Sequence, residues 1–386
     1  MIMEMHKFID ECENNIWVDL MKKNTRILFT HNTAMWYRIP FFRELSTLYN
    51  LDLVFTHINV INSIYDEDCD EKIEGLDGVN YTILSNRFGF AVGLTKKLLE
   101  KHDVIIGGSW DTPQELMESI LTLIIAKIKR QRLIIWREDW DWPRKATLKE
   151  KGLNKIIKIL CRNADKILVP GSLHKEYFKD KIGVKEDNII IMPNVSNIKT
   201  KHIKADTTTK NILYVGRLIE RKGVNYLLDA YKNLEIKDKK LIITGNGPEE
   251  EKLKKQVKTE NIENVKFTGK ISNQELEEYY SKANVVVIPS INHEMGDPWV
   301  FVINEAMSYS KPVIATTAVG AAPDMIKGNG FIVEEKNSAQ ITEKLYEILS
   351  NPKLEEEMCQ KSVSIIEEEF QYKNMIKGFK KAIKKE

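Results

Sequence analysis

Three strand-to-helix turns in the second half of the chain carry the side chains best suited to chemistry. An apolar run, Asn211-Ile212-Leu213-Tyr214-Val215, leads into Gly216-Arg217-Leu218-Ile219-Glu220-Arg221-Lys222-Gly223. A second run over 240–244 leads into Gly245-Asn246-Gly247-Pro248. A third, ending at Ile288, precedes Asp297-Pro298-Trp299-Val300-Phe301-Val302-Ile303-Asn304-Glu305. Buried parallel strands deliver such turns to one crevice at their C-terminal ends. Glycines, an Arg, a Lys and two spaced carboxylates gathered there make a site for a phosphorylated, hydroxyl-rich ligand, and a sugar nucleotide fits that description.

A diphosphate leaving group gains charge as its bond breaks, so positive partners aimed at it lower the barrier. Arg217 offers a planar fork for phosphate oxygens and Lys222 a compact point charge. Each supplies about 4 kcal/mol of raw Coulomb attraction at roughly 4 Å and an effective dielectric near 20, before desolvation is subtracted. Two such groups and a helix N-terminus can replace a divalent metal. In isolation this string also suits an ordinary solvated helix start; the neighbouring turns favour the ligand. At Gly245 and Gly247 the missing Cβ lets backbone approach a ligand closely, while Pro248 and the acids after it suit a first helical turn. This is not the GxGxxG dinucleotide fingerprint.

Asp297 and Glu305 are separated by seven residues. A helix beginning near Trp299–Phe301 leaves Asp297 on the preceding loop and Glu305 about one turn inside. The free N–H groups of such a helix start suit phosphate, and carboxylates beside them can accept hydrogen bonds from sugar and ribose hydroxyls. Acids that merely dress a helix N-terminus would explain Asp297 but not Glu305.

The elements that must hold these turns follow from the apolar runs. Runs of four to six residues alternate with helical spacing throughout, which implies parallel sheets with helices on both faces. Strands are expected near 25–30, 51–57, 81–84, 103–107, 132–136, 166–169 and 188–192. The pattern restarts at 211–215 and continues near 240–244, 264–268, 284–288, 312–315 and 330–333. Ser196 to Lys210 is polar, Thr- and Lys-rich and without periodicity, as a linker would be. The expected division is a first domain over 1–195, a second over 196–369, and a last helix over 370–386 joined to the first. That helix carries an apolar stripe of Phe370, Met375, Ile376, Phe379 and Ile383. A chain of 386 residues suits two such domains.

Basic and acidic side chains number 58 and 56, so the net charge of +2 says little about partners and gives no reason to expect nucleic acid. Cys12, Cys69, Cys161 and Cys359 are isolated, which points away from zinc sites and disulfide frameworks. No apolar run is long enough to cross a bilayer, and the N-terminus lacks the pattern of a signal peptide. A cytoplasmic location is expected. Residues 1–24 read as a short amphipathic helix packed on the first domain.

With these motifs in place, the second half resembles the group 1, family 4 glycosyltransferases of GT-B fold. The pattern is carried by Gly216 to Gly223, Gly245 to Pro248, Pro289-Ser290, and Asp297 to Glu305 with Ala306-Met307 and Pro312-Val313-Ile314-Ala315. The resemblance spans about 211–350. It implies an α/β protein of two Rossmann-like domains whose parallel sheets face a shared cleft. It further implies retaining transfer from a nucleotide-diphosphate sugar, a UDP- or GDP-sugar, to an acceptor hydroxyl, with no cofactor or metal. Glycan, surface polysaccharide or glycolipid synthesis is the expected setting. By the resemblance, Arg217 and Lys222 bind the diphosphate, Glu305 the ribose, Asp297 the donor sugar, and backbone at Gly216, Gly245, Gly247, Phe301 and Val302 faces the nucleotide.

The chain departs from the pattern at two places. The first acid is Asp297 where the family has Glu, which shortens its reach by about 1.5 Å. Val300 stands where Gly is usual and restricts the backbone there. Spacing favours Asp297 for the donor sugar, with Glu294 as the alternative. In the first half, His31-Asn32-Thr33 ends the first strand without the Gly-rich loop of many relatives, and Gly107 to Asp111 suits the acceptor side. Trp136-Arg137-Glu138-Asp139 stands where relatives place a His-Asp pair, so Glu138 or Asp139 takes that role. For His31 and His293 a structural role is as good a reading as a functional one.

Asp139-Trp140-Asp141 spells the metal-binding DxD of the other major glycosyltransferase fold, but the second-half motifs argue against a metal. From Arg144 to Lys166 a basic face opposes Leu153, Ile156, Ile157 and Leu160. That arrangement fits a core-facing helix, or one resting on anionic lipid and serving a lipid-linked acceptor. Two rival functions fit the motifs: a sugar-nucleotide epimerase of the same fold, and a non-catalytic sugar-nucleotide-binding protein.

Overall fold

The computed structural model describes residues 24–32, 35–57, 75–138, 148–203, 208–293 and 296–384. The first half builds β1 (Arg26–His31), β2 (Asn50–Phe55), β3 (Tyr81–Ile83), β4 (Asn86–Arg87), β5 (Phe90–Ala91), β6 (Val104–Gly107), β7 (Arg132–Trp136), β8 (Lys166–Val169) and β9 (Ile189–Ile191). The second half builds β10 (Lys210–Val215), β11 (Lys239–Thr244), β12 (Val265–Gly269), β13 (Val285–Ile288), β14 (Val313–Thr316) and β15 (Gly330–Val333).

Seven strands form one sheet in the order β3-β2-β1-β6-β7-β8-β9, and six form another in the order β12-β11-β10-β13-β14-β15. Every pair described in these two sheets is parallel. In each the strand order reverses beside the first strand, at β1/β6 and at β10/β13. Such switch points open a crevice outside the strand C-termini, and there doubly wound sheets hold ligands.

Side chains on a strand alternate between faces, so each sheet seeds two cores. Ile27 and Phe29 enter one core and Leu28 the other; Ile212 and Tyr214 enter one and Leu213 the other. Helices on both faces close these cores, which is why the strands read as continuous apolar runs.

The helix Tyr372–Ile383 follows the second sheet in sequence yet buries Met375, Ile376, Phe379 and Ala382 among Phe29, Phe41 and Phe42 of the first. Phe379 stacks on Phe29 with ring centroids 6.2 Å apart. Arg132 donates to the carbonyls of Ile383 at 2.6 Å and Ala382 at 3.1 Å, satisfying the end of that helix.

The hairpin β4–β5 has no counterpart in the sequence reading. Its turn residues Phe88 and Gly89 both have positive φ, 51° and 82°, the twist a two-residue hairpin prefers. Among the described residues no helix is long and apolar enough to cross a membrane. The helix Leu148–Asn163 buries Ile157 and Leu160, whereas Leu153 and Ile156 are exposed together with Ile159. The expected stripe is thus only partly covered by the core, and its uncovered residues lie in solvent. Residues 1–23, Asp139-Trp140-Asp141, Arg144, Lys145 and Glu294 lie outside the described residues.

Candidate active site

The Gly216–Gly223 turn leaves β10, and its last residues form a short 3-10 turn, Glu220–Lys222. A Cβ on Gly223 would lie 2.1 Å from the Pro289 carbonyl oxygen, so glycine is what lets this turn touch the loop after β13. The contact brings Lys222 Nζ within 2.5 Å of Asp297 Oδ2, both side chains being largely buried. Ser290 Oγ donates to the same carboxylate oxygen at 2.7 Å. The Asp297 backbone is itself fixed, its N–H on the Ala318 carbonyl at 3.0 Å and its carbonyl accepting from Gly320 N at 2.9 Å. Burial would raise the Asp297 carboxyl, but the Lys222 ammonium, Arg221 and the Ser290 hydroxyl outweigh it, and the group lies below its ordinary range.

Arg221, which the sequence reading passed over, donates from Nη1 to the Gly296 carbonyl at 3.4 Å and holds a buried Nε with no hydrogen-bond partner. Its only sequence signal is its place beside Lys222. Arg217 is exposed, and no described side chain pairs with it; its carbonyl accepts the Tyr214 hydroxyl at 2.9 Å, which fixes the turn from below.

Gly216, Gly245 and Gly247 lie in the left-handed half of backbone space, with φ of 151°, 113° and 158°. A Cβ on Gly245 would meet the Gly216 oxygen at 2.0 Å, and one on Gly247 the Leu218 oxygen at 2.3 Å. Leu218 N donates to the Asn246 carbonyl at 2.8 Å across the same gap. The close approach read from these glycines is therefore first an approach of one turn to the other, which locks the Arg217 loop to the end of β11.

The helix Phe301–Ser308 has no side-chain N-cap, so the amides of Phe301 and Val302 begin it as open donors. Val300 has φ −100°, an ordinary extended value, so this backbone needs no glycine. That removes the restriction expected from Val at this position. One turn in, half-buried Glu305 accepts the Tyr280 hydroxyl on Oε2 at 2.7 Å. Burial raises its carboxyl, and the Tyr280 bond opposes the shift. Tyr280 is held by Tyr309, stacked at 5.1 Å with the rings 6° from parallel.

Across the cleft, Glu138 follows β7. Its Oε2 pairs with Arg38, while Oε1 is buried without a hydrogen-bond partner. Arg38 lies 4.5 Å over the Trp136 ring and also donates to His31 Nε2. Burial lowers the Arg38 pKa, but Glu138 reverses the balance, so its charge is secure. Buried His174 is pushed down to about 4 by desolvation; neutral, it bonds to the Glu138 carbonyl through Nε2 at 3.0 Å. His31, Arg38, Trp136 and Glu138 border a cavity of about 290 Å³ at the C-terminal ends of β1, β2, β6 and β7, which Gly107, Gly108 and Asp111 also line. Arg38 and His57 border it too and were missed, having only their places beyond a strand to mark them. His293 lies on the surface, 3.6 Å from Glu220.

The two sides meet near the helix tip. Tyr37 and Phe301 rings are 4.2 Å apart, Ser172 donates from N and Oγ to Asp324 at 2.8 and 3.1 Å, and Asn304 donates to the Asn194 carbonyl at 3.1 Å.

Comparison with known proteins agrees with this geometry. Residues 196–363 match the family described as glycosyl transferases group 1. The chain is 28% identical over 325 residues to an uncharacterised glycosyltransferase of Haemophilus influenzae, covering 81% of this chain and 85% of that one. It is 29% identical over 215 residues to the amylovoran biosynthesis glycosyltransferase AmsD of Erwinia amylovora, covering 53% and 58%. Among solved structures, Anabaena HepE in complex with UDP superposes with a TM-score of 0.73 at 15% identity, over 93% of this chain and 99% of that one. The sucrose-phosphate synthase of Thermosynechococcus elongatus gives 0.67 at 17%, over 92% and 98%; at such identities the likeness speaks for the fold. Residues 196–363 thus match the group 1 glycosyl transferases, and the two switch-point sheets have the GT-B fold of the solved structures they resemble.

Proposed function

We infer that the chain transfers a sugar from a UDP- or GDP-sugar to an acceptor hydroxyl, with retention at the anomeric carbon and without a metal. The observation that carries this is the Lys222–Asp297–Ser290 cluster beside Arg221, at the switch point between β10 and β13. A cation already seated against a carboxylate is preorganised: Lys222 keeps two N–H directions for phosphate oxygens while Asp297 turns its remaining oxygen to donor-sugar hydroxyls. Arg217, in solvent at the mouth, closes on the diphosphate from the other side. The open amides at Phe301 and Val302 add a helix N-terminus, and Glu305 accepts from ribose. Glu138, aimed at the cleft from the first sheet, stands beside the reacting sugar.

On this reading residues 196–369 hold the donor, while residues 1–195 with the helix at 370–386 present the acceptor. For retention a front-face path suits the site: the leaving diphosphate oxygen takes the acceptor proton, so no strong protein base is required. The exposed apolar side of Leu148–Asn163, with Lys155 and Lys158 on the same helix, gives the acceptor side a peripheral contact with anionic membrane.

A panel of UDP- and GDP-sugars, scored by protection against heat unfolding and then by transfer of labelled sugar, tests the reading. Arg217→Ala is expected to lower turnover by about 10²-fold, as when a main electrostatic stabiliser is lost. Near-normal turnover in that variant, or conversion of the donor with no acceptor present, would overturn it.

A further inference from the structure

The helix Pro113–Ile128 turns one face to the first-sheet cavity, where Glu115, Glu118, Ser119 and Thr122 line it at the spacing of successive helical turns. Both carboxylates serve the fold with one oxygen. Glu115 Oε2 accepts the Thr112 N–H at 3.0 Å in a capping box, and Glu118 Oε1 accepts the Ala91 N–H at 2.6 Å. Their other oxygens point to His57, Glu115 Oε1 at 3.8 Å from Nδ1 and Glu118 Oε2 at 3.9 Å from Nε2. His57, 5% exposed, donates through Nε2 to the Gly89 carbonyl of the hairpin at 3.2 Å, and its buried Nδ1 has no hydrogen-bond partner.

Two spare carboxylate oxygens and a bare imidazole nitrogen thus border one end of the cavity. Among the described residues no lysine or arginine pairs with either carboxylate. Elsewhere on the lining, Arg38 answers Glu138 and Arg137 answers Asp111, so negative charge is concentrated at this end. Burial already holds the Glu118 carboxyl above its ordinary range, with Glu115 pushing the same way against the Ala91 amide and His57. Of the three, His57 Nδ1 is a buried acceptor without a donor, and it costs free energy until one arrives. A hydroxyl brings one proton for three acceptors and leaves the charge unanswered, whereas an ammonium brings three protons and a positive charge. A phosphate or carboxylate would be repelled.

We propose that His57, Glu115 and Glu118 form a subsite for a protonated primary amine, so that the acceptor is an amino sugar with a free amino group. This rests on the glycosyltransferase reading above and specifies the acceptor within it. The test is calorimetric titration of the full chain, saturated with UDP or GDP, with glucosamine, glucose, N-acetylglucosamine and glucosamine 6-phosphate. Glucosamine is expected to bind at least about tenfold more tightly than glucose or the N-acetyl sugar, the scale of one charge-assisted hydrogen bond. Glu118→Gln and Glu115→Gln, which keep an oxygen for the Ala91 and Thr112 amides, should each remove that preference. Nitrogen NMR of histidine-labelled wild-type protein reads the same site without a variant, since the His57 Nδ1 resonance should move on adding glucosamine and stay with glucose. Equal binding of glucose and glucosamine, a preference surviving both variants, or an unmoved His57 resonance would overturn the proposal. Nucleotide protection and labelled-donor turnover report separately on the transferase reading.

Discussion

Asp297 and Glu305 are both carboxylates in the second crevice, yet their surroundings drive them in opposite directions. Asp297 faces an ammonium and a hydroxyl and is held below its ordinary range; Glu305 faces a phenol and is raised by burial. A lowered native pKa contributes stability above the unfolded carboxyl value, and that stability is lost as pH falls through the native one. Lys222→Met strands the buried Asp297 charge and should cost about 3–5 kcal/mol at neutral pH. The deficit should shrink as acid protonates Asp297, which denaturant melts of both proteins across the acid range would show. For Glu305 the sign reverses: ionisation becomes a burden as pH rises from the unfolded value through the raised native one. Glu305→Gln keeps an acceptor for Tyr280 without the charge, so its melting temperature should equal or exceed the wild type's near neutrality, with the gain absent in acid. Donor affinity should fall by about tenfold if the carboxylate binds ribose. A loss of both stability and affinity would mean that Glu305 is structural.

At the level of elements, the two sheets were legible because strands buried on both faces show as unbroken apolar runs. The turns were legible because Gly, Pro and charge stand at their ends. The hairpin β4–β5 was not, since its turn is Phe88-Gly89 where Asn-Gly would be the usual signal, and its strands are only two residues long. With it went the surroundings of His57. The glycines were read as openings toward a ligand, but sequence does not say which backbone comes close, and at 245 and 247 it is the protein's own. Val300 shows the converse, a residue whose type implied strain at a position with an ordinary φ. These points lead to a test by difference. Gly245→Ala meets the Gly216 oxygen at 2.0 Å and also carries φ 113°, whereas Gly328→Ala carries φ 89° with nothing within 4 Å. Backbone strain of about 1–3 kcal/mol is common to both. Only Gly245→Ala should lose more than that and also weaken donor binding, because it displaces the turn that carries Arg217. Similar losses in the two variants would show that the contact between turns contributes little.

For the molecule as a whole, the decisive feature is the return of the chain after Phe370. The last helix enters the core of the first sheet, and its first residue, Tyr372, donates to the Tyr37 carbonyl at 2.6 Å. The Tyr37 ring in turn rests on Phe301 at the start of the helix assigned to phosphate. An apolar stripe by itself states how much must be buried and not against what; packing among Phe29, Phe41 and Phe42 is what ties this helix to the first sheet. Phe379 is fully buried among Phe29, Phe41 and Tyr49, so Phe379→Ala should cost about 3–5 kcal/mol. If the helix belongs energetically to the first sheet, that loss falls on one half of the molecule. Calorimetric unfolding of the variant should then separate into two transitions. The earlier one would be the first half coming apart, followed by exposure of Trp136; the later one should keep its place and still move upward with added UDP or GDP, since ligand stabilises only the unit that binds it. A single transition lowered as a whole, with nucleotide protection reduced in step, would show instead that the helix fuses both halves into one cooperative unit.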